Sequence, residues 1–239
     1  MATAREGDRR TQADRRARTR SALLESAARG LSAHGYAQLA LERVAKEAGY
    51  TRGALYHQFA NKEELALAVV EWVGRTWRAE VGGPAAAHED PVEALCALAR
   101  AHAVYCRRDI AGVMMTLQIE FSGRDHPVAE ALERNVRPLL VEWGGRIAEA
   151  RARGALPPGP PPEEMAEAYF GTLQGVTIAV AGRAPYDADL TEGAVRGVLG
   201  LPPASSAPFT ASAPSTPSAP TARAAQKAPT GDRDQEDTK

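Results

Sequence analysis

The sequence predicts an all-α fold, in which an N-terminal three-helix helix-turn-helix head is joined to a C-terminal helical bundle. Apolar residues recur at helical spacing through most of the chain, and no stretch shows the alternation typical of a strand. The apolar fraction is 44%, but only four Phe and three Trp are present, so Ala, Leu and Val must supply most of the core. This composition favours packed helices over a sheet.

The segment 41–59 predicts two short helices joined by a tight turn. Apolar residues fall on one side of the first helix, and Gly49 follows it as a residue that adopts a left-handed conformation at low cost. Thr51 then provides a hydroxyl N-cap for the second helix, whose inward side carries Leu55 and Phe59. The outward side presents side chains that donate hydrogen bonds: Arg52, Tyr56, His57 and Gln58. This pattern is typical of a helix that enters the major groove of DNA.

The distribution of charge supports this interpretation, although the whole chain has a net charge of only −1. Residues 1–62 contain 12 Lys/Arg and 6 Asp/Glu, whereas the remaining 177 residues contain 17 and 24. A basic head on an acidic body indicates that the head meets nucleic acid. The basic residues at the N-terminus either reach a phosphate or the adjacent minor groove, or only solubilise the arm: Arg9, Arg10, Arg15, Arg16, Arg18 and Arg20.

Composition divides the chain into four parts. Residues 1–16 are expected to form a disordered basic arm, and residues 17–77 the DNA-binding head, with the helix-turn-helix at 40–59. Residues 84–200 are expected to form a ligand-binding and dimerisation domain. Residues 202–239 are rich in Pro, Ser, Ala and Thr, and this composition predicts a disordered tail.

Helix boundaries follow from caps and breakers. We expect the first helix to begin near Ala17, and the fourth to open with a capping box of Asn61 and Glu64. The sequence Gly-Gly-Pro at 82–84 predicts a break after the fourth helix, and Pro138 predicts a kink or break in a later one. The remaining helices are expected at about 91–107, 110–121, 127–153, 163–182 and 190–199.

Residues 17–77 resemble the N-terminal domain of the TetR/AcrR family of transcriptional regulators. The resemblance rests on Gly35-Tyr36, Val44-Ala45, Ala48-Gly49, the run Thr51–Tyr56, Phe59 and the run Asn61–Leu65. It implies an all-helical homodimer whose heads lie in successive major grooves and whose C-terminal domain binds a small molecule. It also implies that Thr51, Tyr56 and Lys62 contact phosphates, while Arg52, Gly53, Ala54 and His57 face the groove.

The side-chain chemistry of these residues supports the DNA-contacting roles independently of the resemblance. The sequence also departs from the family pattern at two places. Gly53 and Ala54 are small enough to let the helix backbone approach base edges, and Arg52 suits guanine or a phosphate. Before the first helix of the motif, Leu39 and Ala40 stand where the family often has a hydroxyl cap, which is worth about 1 kcal/mol. Gln58 stands where the family often has His.

Aromatic, Met and Gln side chains in the C-terminal part and on the fourth helix either line an effector pocket or fill the core. The candidates are Trp72, Tyr105, Met114, Met115, Gln118, Phe121, Trp143 and Tyr169. His102 and Cys106 are four residues apart and, with Asp125 or His126, suggest a metal site. A core thiol beside a polar histidine explains them better, so we predict no metal.

Small residues recur every four positions on the helix at 163–182, which favours close approach of another helix. We expect this helix and the one at 190–199 to form a two-fold interface with their symmetry mates. Packing within one subunit is the alternative. The candidate interface residues are Met165, Tyr169, Gly171, Gly175, Val176, Ala179, Val195 and Val198.

Together these features predict a ligand-responsive DNA-binding regulator that acts as a homodimeric repressor on a pseudo-palindromic operator. Its expected partners are double-stranded DNA, a second copy of the chain and a small-molecule inducer. We expect no catalytic site, cofactor or membrane segment, and a location in the cytosol. Two alternatives remain: an activator, or a helical protein- or small-molecule-binding module that does not bind DNA.

Overall fold

The computed structural model describes residues 2–180 and 183–204, with only the backbone described for residues 2–11. The regular elements in these ranges are all helical. In chain order they are α1 (Ala2–His34), α2 (Leu41–Glu47), α3 (Arg52–Gln58), α4 (Lys62–Trp77), a π-helical turn (Arg78–Gly82), α5 (Gly83–Ala86), α6 (Pro91–Tyr105), α7 (Val113–Phe121), α8 (Pro127–Ala152), α9 (Pro162–Ala179) and α10 (Tyr186–Val198).

Helix α1 is longer at its N-terminal end than the sequence predicted. It begins at Ala2, so residues 2–16 belong to a helix where the sequence predicted a disordered arm. Ala, Arg, Gln and Glu have high helix propensity, and they extend a helix that the buried residues after Leu23 already nucleate. Residues 12–18 are exposed, so packing does not hold this extension.

The helix-turn-helix has the predicted ends. Gly35 and Gly49 take φ angles of 75° and 78°, which residues with a Cβ adopt only with strain. The Thr51 Oγ1 accepts a hydrogen bond from the Ala54 N–H at 3.2 Å, which confirms the N-cap of α3. The N-cap of α2 is Ala40, which makes no side-chain capping bond.

The Asn61 N-cap of α4 is confirmed, although Glu64 bonds the residue before the cap and not the cap itself, and the predicted break at the end of α4 is wrong. Asn61 Oδ1 accepts from the Glu64 N–H at 2.8 Å, and Glu64 Oε2 accepts from the Ala60 N–H at 2.7 Å. After Trp77 the chain continues helically through the π-helical turn into α5. Pro84 is tolerated because it lies in the first turn of α5, where an amide hydrogen needs no helical partner.

Helix α8 spans nearly the predicted range of 127–153 and runs without interruption through Pro138, so this proline does not break it. One later boundary differs from prediction. Helix α10 begins at Tyr186, four residues before the expected start. The predicted tail at 202–239 lies outside the described residues from position 205 onward.

The helices pack around two apolar cores. The boundary between these cores does not coincide with the domain boundary that the sequence predicted. The first core joins α1 to α4 with α7 and the start of α8, through Val113, Leu117 and Val128. The second joins α5, α6, α9 and α10 with the later part of α8. Helix α7 therefore packs with the head, although the sequence assigned residues 113–121 to the C-terminal domain.

Candidate nucleic-acid interface and effector cavity

The outer surface of α3 is the candidate nucleic-acid interface. Leu55 is fully buried on the inner side of α3, and Phe59, which follows its last turn, is almost fully buried. These two side chains fix the orientation of α3 on the head. The residues on its other side are exposed, namely Thr51, Arg52, Gly53, Tyr56 and His57, while Ala54 is half-buried. The structure thus places all six predicted contact residues of this helix on or beside one solvent-facing surface.

Arg52 is exposed but oriented by two neighbours. Its Nη1 donates to Glu42 Oε1 at 2.5 Å, and its Nη2 donates to the Tyr56 hydroxyl at 3.3 Å. The guanidinium carbon lies 5.3 Å from the centroid of the Tyr56 ring. Tyr56 and the Glu42 carboxylate raise the pKa of Arg52, so it is charged at any physiological pH. Glu42 was not predicted, because its meeting with Arg52 depends on the angle between α2 and α3.

Gly53 has no structural role that would require the absence of a side chain. A Cβ added there would approach only Thr51 Oγ1, at an ordinary contact distance of 3.8 Å. Glycine inside a helix costs about 1 kcal/mol relative to alanine. A glycine at this exposed position therefore has no explanation within the described residues.

Lys62 is less free than the sequence suggested. Its Nζ donates to the Ala37 carbonyl at 2.9 Å and lies 4.6 Å from the centroid of the Tyr36 ring. These contacts fix it at the N-terminus of α4, beside the loop that precedes α2. An ammonium group has three donors, so Lys62 keeps capacity for a further acceptor such as a phosphate oxygen.

Two further residues hold this surface in place: Arg20, which the sequence suggested as a phosphate or minor-groove contact, and Glu120, which the sequence did not single out. Arg20 on α1 donates to the Gln58 carbonyl at 3.4 Å and lies over the Phe59 ring, with its guanidinium carbon 4.5 Å from the centroid. Glu120 on α7 accepts from the backbone N–H groups of Tyr36 and Ala37 at 2.5 and 2.7 Å. No local pattern reveals the latter contact, because it joins residues more than 80 positions apart.

A cavity of about 660 Å³ lies among α4, α6, α7, α8 and α9. This volume is within the range of about 300–1,000 Å³ that is usual for small-molecule sites. Six of the eight predicted pocket residues line it: Tyr105, Met114, Met115, Gln118, Phe121 and Trp143.

The structure places the other two predicted pocket residues elsewhere. Trp72 packs half-buried against the core of the head, and Tyr169 is fully buried in the second core, where its hydroxyl donates to the Leu95 carbonyl at 2.7 Å. Their neighbours in sequence, Val73 and Phe170, line the cavity instead. Adjacent residues of a helix point in directions that differ by about 100° around the helix axis. The sequence pattern does not determine the rotation of the helix closely enough to say which of the two faces the cavity.

His102 and Cys106 are neighbouring titratable groups in the wall of the cavity. The His102 Nδ1 accepts a hydrogen bond from the Trp77 indole N–H at 3.0 Å, and the His102 Nε2 lies 3.5 Å from Cys106 Sγ. Desolvation lowers the pKa of His102 to about 4 and raises the pKa of Cys106 to about 11, so both are neutral near pH 7. The described residues hold no cluster of three metal-ligating side chains, and both cysteines are free thiols.

The predicted interface residues on α9 and α10 fall into three groups. Gly171, Gly175 and Ala179 are exposed on one side of α9. Met165, Val176 and Val198 are half-buried. Tyr169 and Val195 are fully buried within the subunit, so the prediction that they contact a second copy is wrong. They lie on the helix faces that pack into the second core.

The exposed α3 on a three-helix head, joined to a helical body with an apolar cavity, defines a helix-turn-helix transcriptional regulator. The family model described as bacterial regulatory proteins, tetR family, matches residues 23–69. The HTH-type transcriptional regulator LmrA of Bacillus subtilis is 30% identical over 135 residues, which cover 55% of this chain and 70% of LmrA. The chain belongs to the tetR family of bacterial regulatory proteins, as the resemblance in sequence implied.

Two further curated relatives match over smaller shares of their own length. The A-factor receptor protein of Streptomyces griseus is 27% identical over 184 residues, which are 74% of this chain and 62% of that protein. An uncharacterized HTH-type regulator of Bacillus subtilis, YxaF, is 36% identical over 78 residues, which are 32% of this chain and 41% of YxaF. The chain therefore spans less than two thirds of the length of these relatives.

Solved structures share the fold. AibR, in complex with isovaleryl coenzyme A and operator DNA, has a TM-score of 0.66 at 20% identity, covering 77% of this chain and 99% of AibR. FadR from Bacillus subtilis, in complex with stearoyl-CoA, has a TM-score of 0.63 at 15% identity, covering 75% and 97%. Within the described part of the chain, no helix is both long enough and apolar enough to span a bilayer.

Proposed function

We propose that this chain is a homodimeric repressor that binds a pseudo-palindromic DNA operator and releases it when a small molecule occupies the cavity. The observation that carries the proposal is the exposed surface of α3, where Arg52, Gly53, Tyr56 and His57 stand outward above a buried Leu55. A helix presented in this way fits a major groove, and its small residue allows close approach to the bases.

The roles of the individual side chains follow from their contacts. Arg52 already has its guanidinium plane set by Glu42 and Tyr56, which suits a directional bond to a guanine edge. Thr51 and Lys62 lie at the N-termini of α3 and α4, where helix dipoles add to the attraction for phosphate. These phosphate contacts position the head, and Arg52 contributes base preference.

The exposed glycines of α9 and α10 support a two-fold dimer. A Cβ added at Gly171, Gly175, Gly193 or Gly197 would meet nothing within 4 Å, so these residues do not serve packing within one subunit. A second copy that packs closely on this surface explains them. In the dimer, recognition helices about 34–36 Å apart would enter successive major grooves.

The route from cavity to head is short. Helix α4 begins at Lys62 beside the DNA surface and continues to Trp77 in the cavity wall. Helix α7 lines the cavity with Phe121, and its Glu120 holds the loop before α2. A ligand that favours a spread arrangement of the heads by about 3 kcal/mol lowers operator affinity about 150-fold.

Selection of bound sequences from random duplex DNA tests the proposal. We expect enrichment of an inverted repeat whose half-sites are separated by about one helical turn, since the two heads of a dimer are related by two-fold symmetry. Recovery of no preferred sequence, together with weak binding that does not depend on salt, would contradict DNA recognition by α3.

Substitutions at Lys62 and Arg52 separate the two kinds of contact. Lys62→Ala is expected to reduce the slope of log affinity against log salt by about 0.9 on every duplex. Arg52→Ala is expected to cost about 1–3 kcal/mol on the selected sequence and to relax base preference there. Arg134→Ala, an exposed arginine on α8, serves as the control and should change neither quantity. Equal losses for Lys62→Ala and Arg52→Ala on selected and random DNA would refute this division of roles.

A further inference from the structure

The cavity wall consists largely of aromatic and aliphatic side chains, and its charged groups are confined to a few positions that already have partners or face solvent. Arg78 donates to the backbone carbonyl and Oδ1 of Asn135 at 3.3 and 3.4 Å. Arg137 forms an ion pair with Glu133 at 2.8 Å. Two further carboxylates, Glu163 and Glu167, are exposed on α9.

These charges disfavour an ionic ligand. An anion such as an acyl-coenzyme A would bring several phosphates to a wall whose two arginines are already bonded and whose three carboxylates repel it. A cation would find carboxylates only at solvent-exposed positions, and a buried charge without a partner is costly. Glu163 also has a role of its own, because it lies in the first turn of α9, where it complements the helix dipole.

The interior offers a neutral hydrogen-bond donor whose tautomer is set by its neighbour. An indole N–H can only donate, so the bond from Trp77 requires that His102 Nδ1 be the acceptor. Desolvation keeps His102 neutral, and the single ring proton must then reside on Nε2. The nearest partner of this Nε2–H is the Cys106 thiol at 3.5 Å, and sulfur is a weak acceptor.

A second donor, in a residue of the same wall, is buried without a hydrogen-bond partner in the described part of the chain. The Trp143 side chain is 2% exposed, and its Nε1–H has no hydrogen-bond partner among the described residues. This nitrogen has almost no accessible surface, so a ligand in the cavity does not reach it, and the donor that bears on ligand class is the His102 Nε2–H.

We propose that the cavity binds an uncharged, largely aromatic or hydrocarbon molecule that carries a carbonyl or ether oxygen, and that the His102 Nε2–H donates a hydrogen bond to this oxygen. The aromatic rings of Trp77, Trp143 and Phe170 provide the surface on which the rest of the molecule packs. This inference rests on the proposed function, because it identifies the class of effector for the same cavity. It separates this chain from regulators of the same fold that bind acyl-coenzyme A.

Calorimetric titration of the full-length protein with a matched naphthalene series tests the ligand class. The probes are ethylnaphthalene, methyl naphthyl ketone, naphthoate, naphthylethylammonium and naphthoyl-coenzyme A. We expect the ketone to bind about 3- to 10-fold more tightly than ethylnaphthalene, which is the usual gain from one net hydrogen bond. The three charged probes should bind at least about 10-fold more weakly than the ketone.

Variants at position 102 test the donor. His102→Phe should abolish the preference for the ketone over ethylnaphthalene, whereas His102→Gln should keep it, because an amide both accepts from Trp77 and donates to the ligand. His88→Phe makes the same change at an exposed position outside the cavity and should leave the preference unaltered. The ratio of the two affinities is the readout, so general loosening of the cavity does not imitate the result.

Several outcomes would overturn the proposal: equal binding of ketone and hydrocarbon, tighter binding of any charged probe, binding of no probe, or an unchanged preference in His102→Phe. If the His102→Phe variant does not fold, the ranking of probe affinities measured on the unaltered protein still tests the proposal. Binding of the same preparation to selected DNA is measured separately, so failure of the ligand class is distinguishable from failure of the regulator proposal.

Discussion

Gly53 is a residue whose identity opposes the stability of its own helix. It lies within the seven-residue helix α3, and the space around its Cα would accept a methyl group without a close contact. Glycine loses more backbone entropy on folding than alanine and lowers helix stability. The cost is understandable if this position must come close to a surface outside the subunit, as a DNA-reading helix does.

Gly53→Ala is therefore expected to raise the free energy of unfolding by about 0.5–1 kcal/mol while weakening binding to the selected operator. The two effects are measured by chemical denaturation and by fluorescence anisotropy with labelled DNA. Gly145→Ala, at an exposed helical position on α8 that is also open, should give a similar gain in stability with unchanged DNA affinity. Unchanged DNA affinity in Gly53→Ala would show that the backbone of α3 does not approach the bases.

At the level of the element, α10 is attached to α6 and to the turn that follows α6 by ion pairs as well as by apolar contacts. Arg107 forms a bidentate pair with Asp187, with N···O distances of 2.8 and 2.6 Å. Arg100 donates to Glu192 at 2.7 Å, and Arg196 donates to the same carboxylate at 2.8 Å. Asp187 and Glu192 are both buried, so these pairs orient α10 as well as stabilise it.

The pair at Asp187 predicts a dependence of stability on pH. The hydrogen bonds from Arg107 lower the pKa of Asp187 below its ordinary value of 3.8. A depressed folded-state pKa contributes stability that is complete above the unfolded-state pKa and is lost as the pH falls through the folded-state value. Asp187→Asn should therefore lower the free energy of unfolding at pH 7, and its difference from the unaltered protein should shrink below about pH 4.

Urea denaturation at several pH values measures this difference. Glu130→Gln is the control, since its ion pair with Arg134 is exposed on both sides and should contribute little at any pH. A difference for Asp187→Asn that stays constant from pH 7 to pH 3 would indicate loss of packing and not loss of the ionised pair.

At the level of the whole molecule, α9 and α10 leave an unusual surface uncovered. Small residues and exposed apolar groups lie together there, and Ile178 is 53% exposed beside Gly175 and Ala179. Glycines on two adjacent helices allow close packing of another pair of helices, as in a four-helix bundle. The buried positions of Tyr169 and Val195 confine the candidate interface to the outer side of these helices.

Gly175→Glu is expected to convert a dimer into a monomer, because a long charged side chain would separate the two surfaces and be desolvated between them. Sedimentation velocity should give twice the chain mass of 25.4 kDa for the unaltered protein and the single mass for the variant. Gly145→Glu places the same side chain on α8 outside this surface and should remain dimeric. A monomeric unaltered protein, or a dimeric Gly175→Glu variant, would contradict the proposed interface.

The sequence by itself determined the helical class and the helix-turn-helix with its caps, while the family followed from the resemblance of residues 17–77. These features depend on spacing over three to seven residues and on the conformational preferences of single residues such as Gly49, Thr51 and Asn61. Their physical causes are local, so they can be derived before any packing is known. The extension of α1 and the continuity around Pro84 were misjudged, because a strong neighbouring helix overrides a local signal.

Only the tertiary structure decided which distant side chains meet. The contacts of Glu120 with the loop at 36–37, of Trp77 with His102 and of Arg107 with Asp187 join elements far apart in sequence. It also decided which of two adjacent residues, such as Tyr169 and Phe170, faces the core and which faces the cavity. These contacts depend on the crossing angles between helices and on the rotation of each helix about its own axis. A periodic sequence pattern determines neither quantity closely.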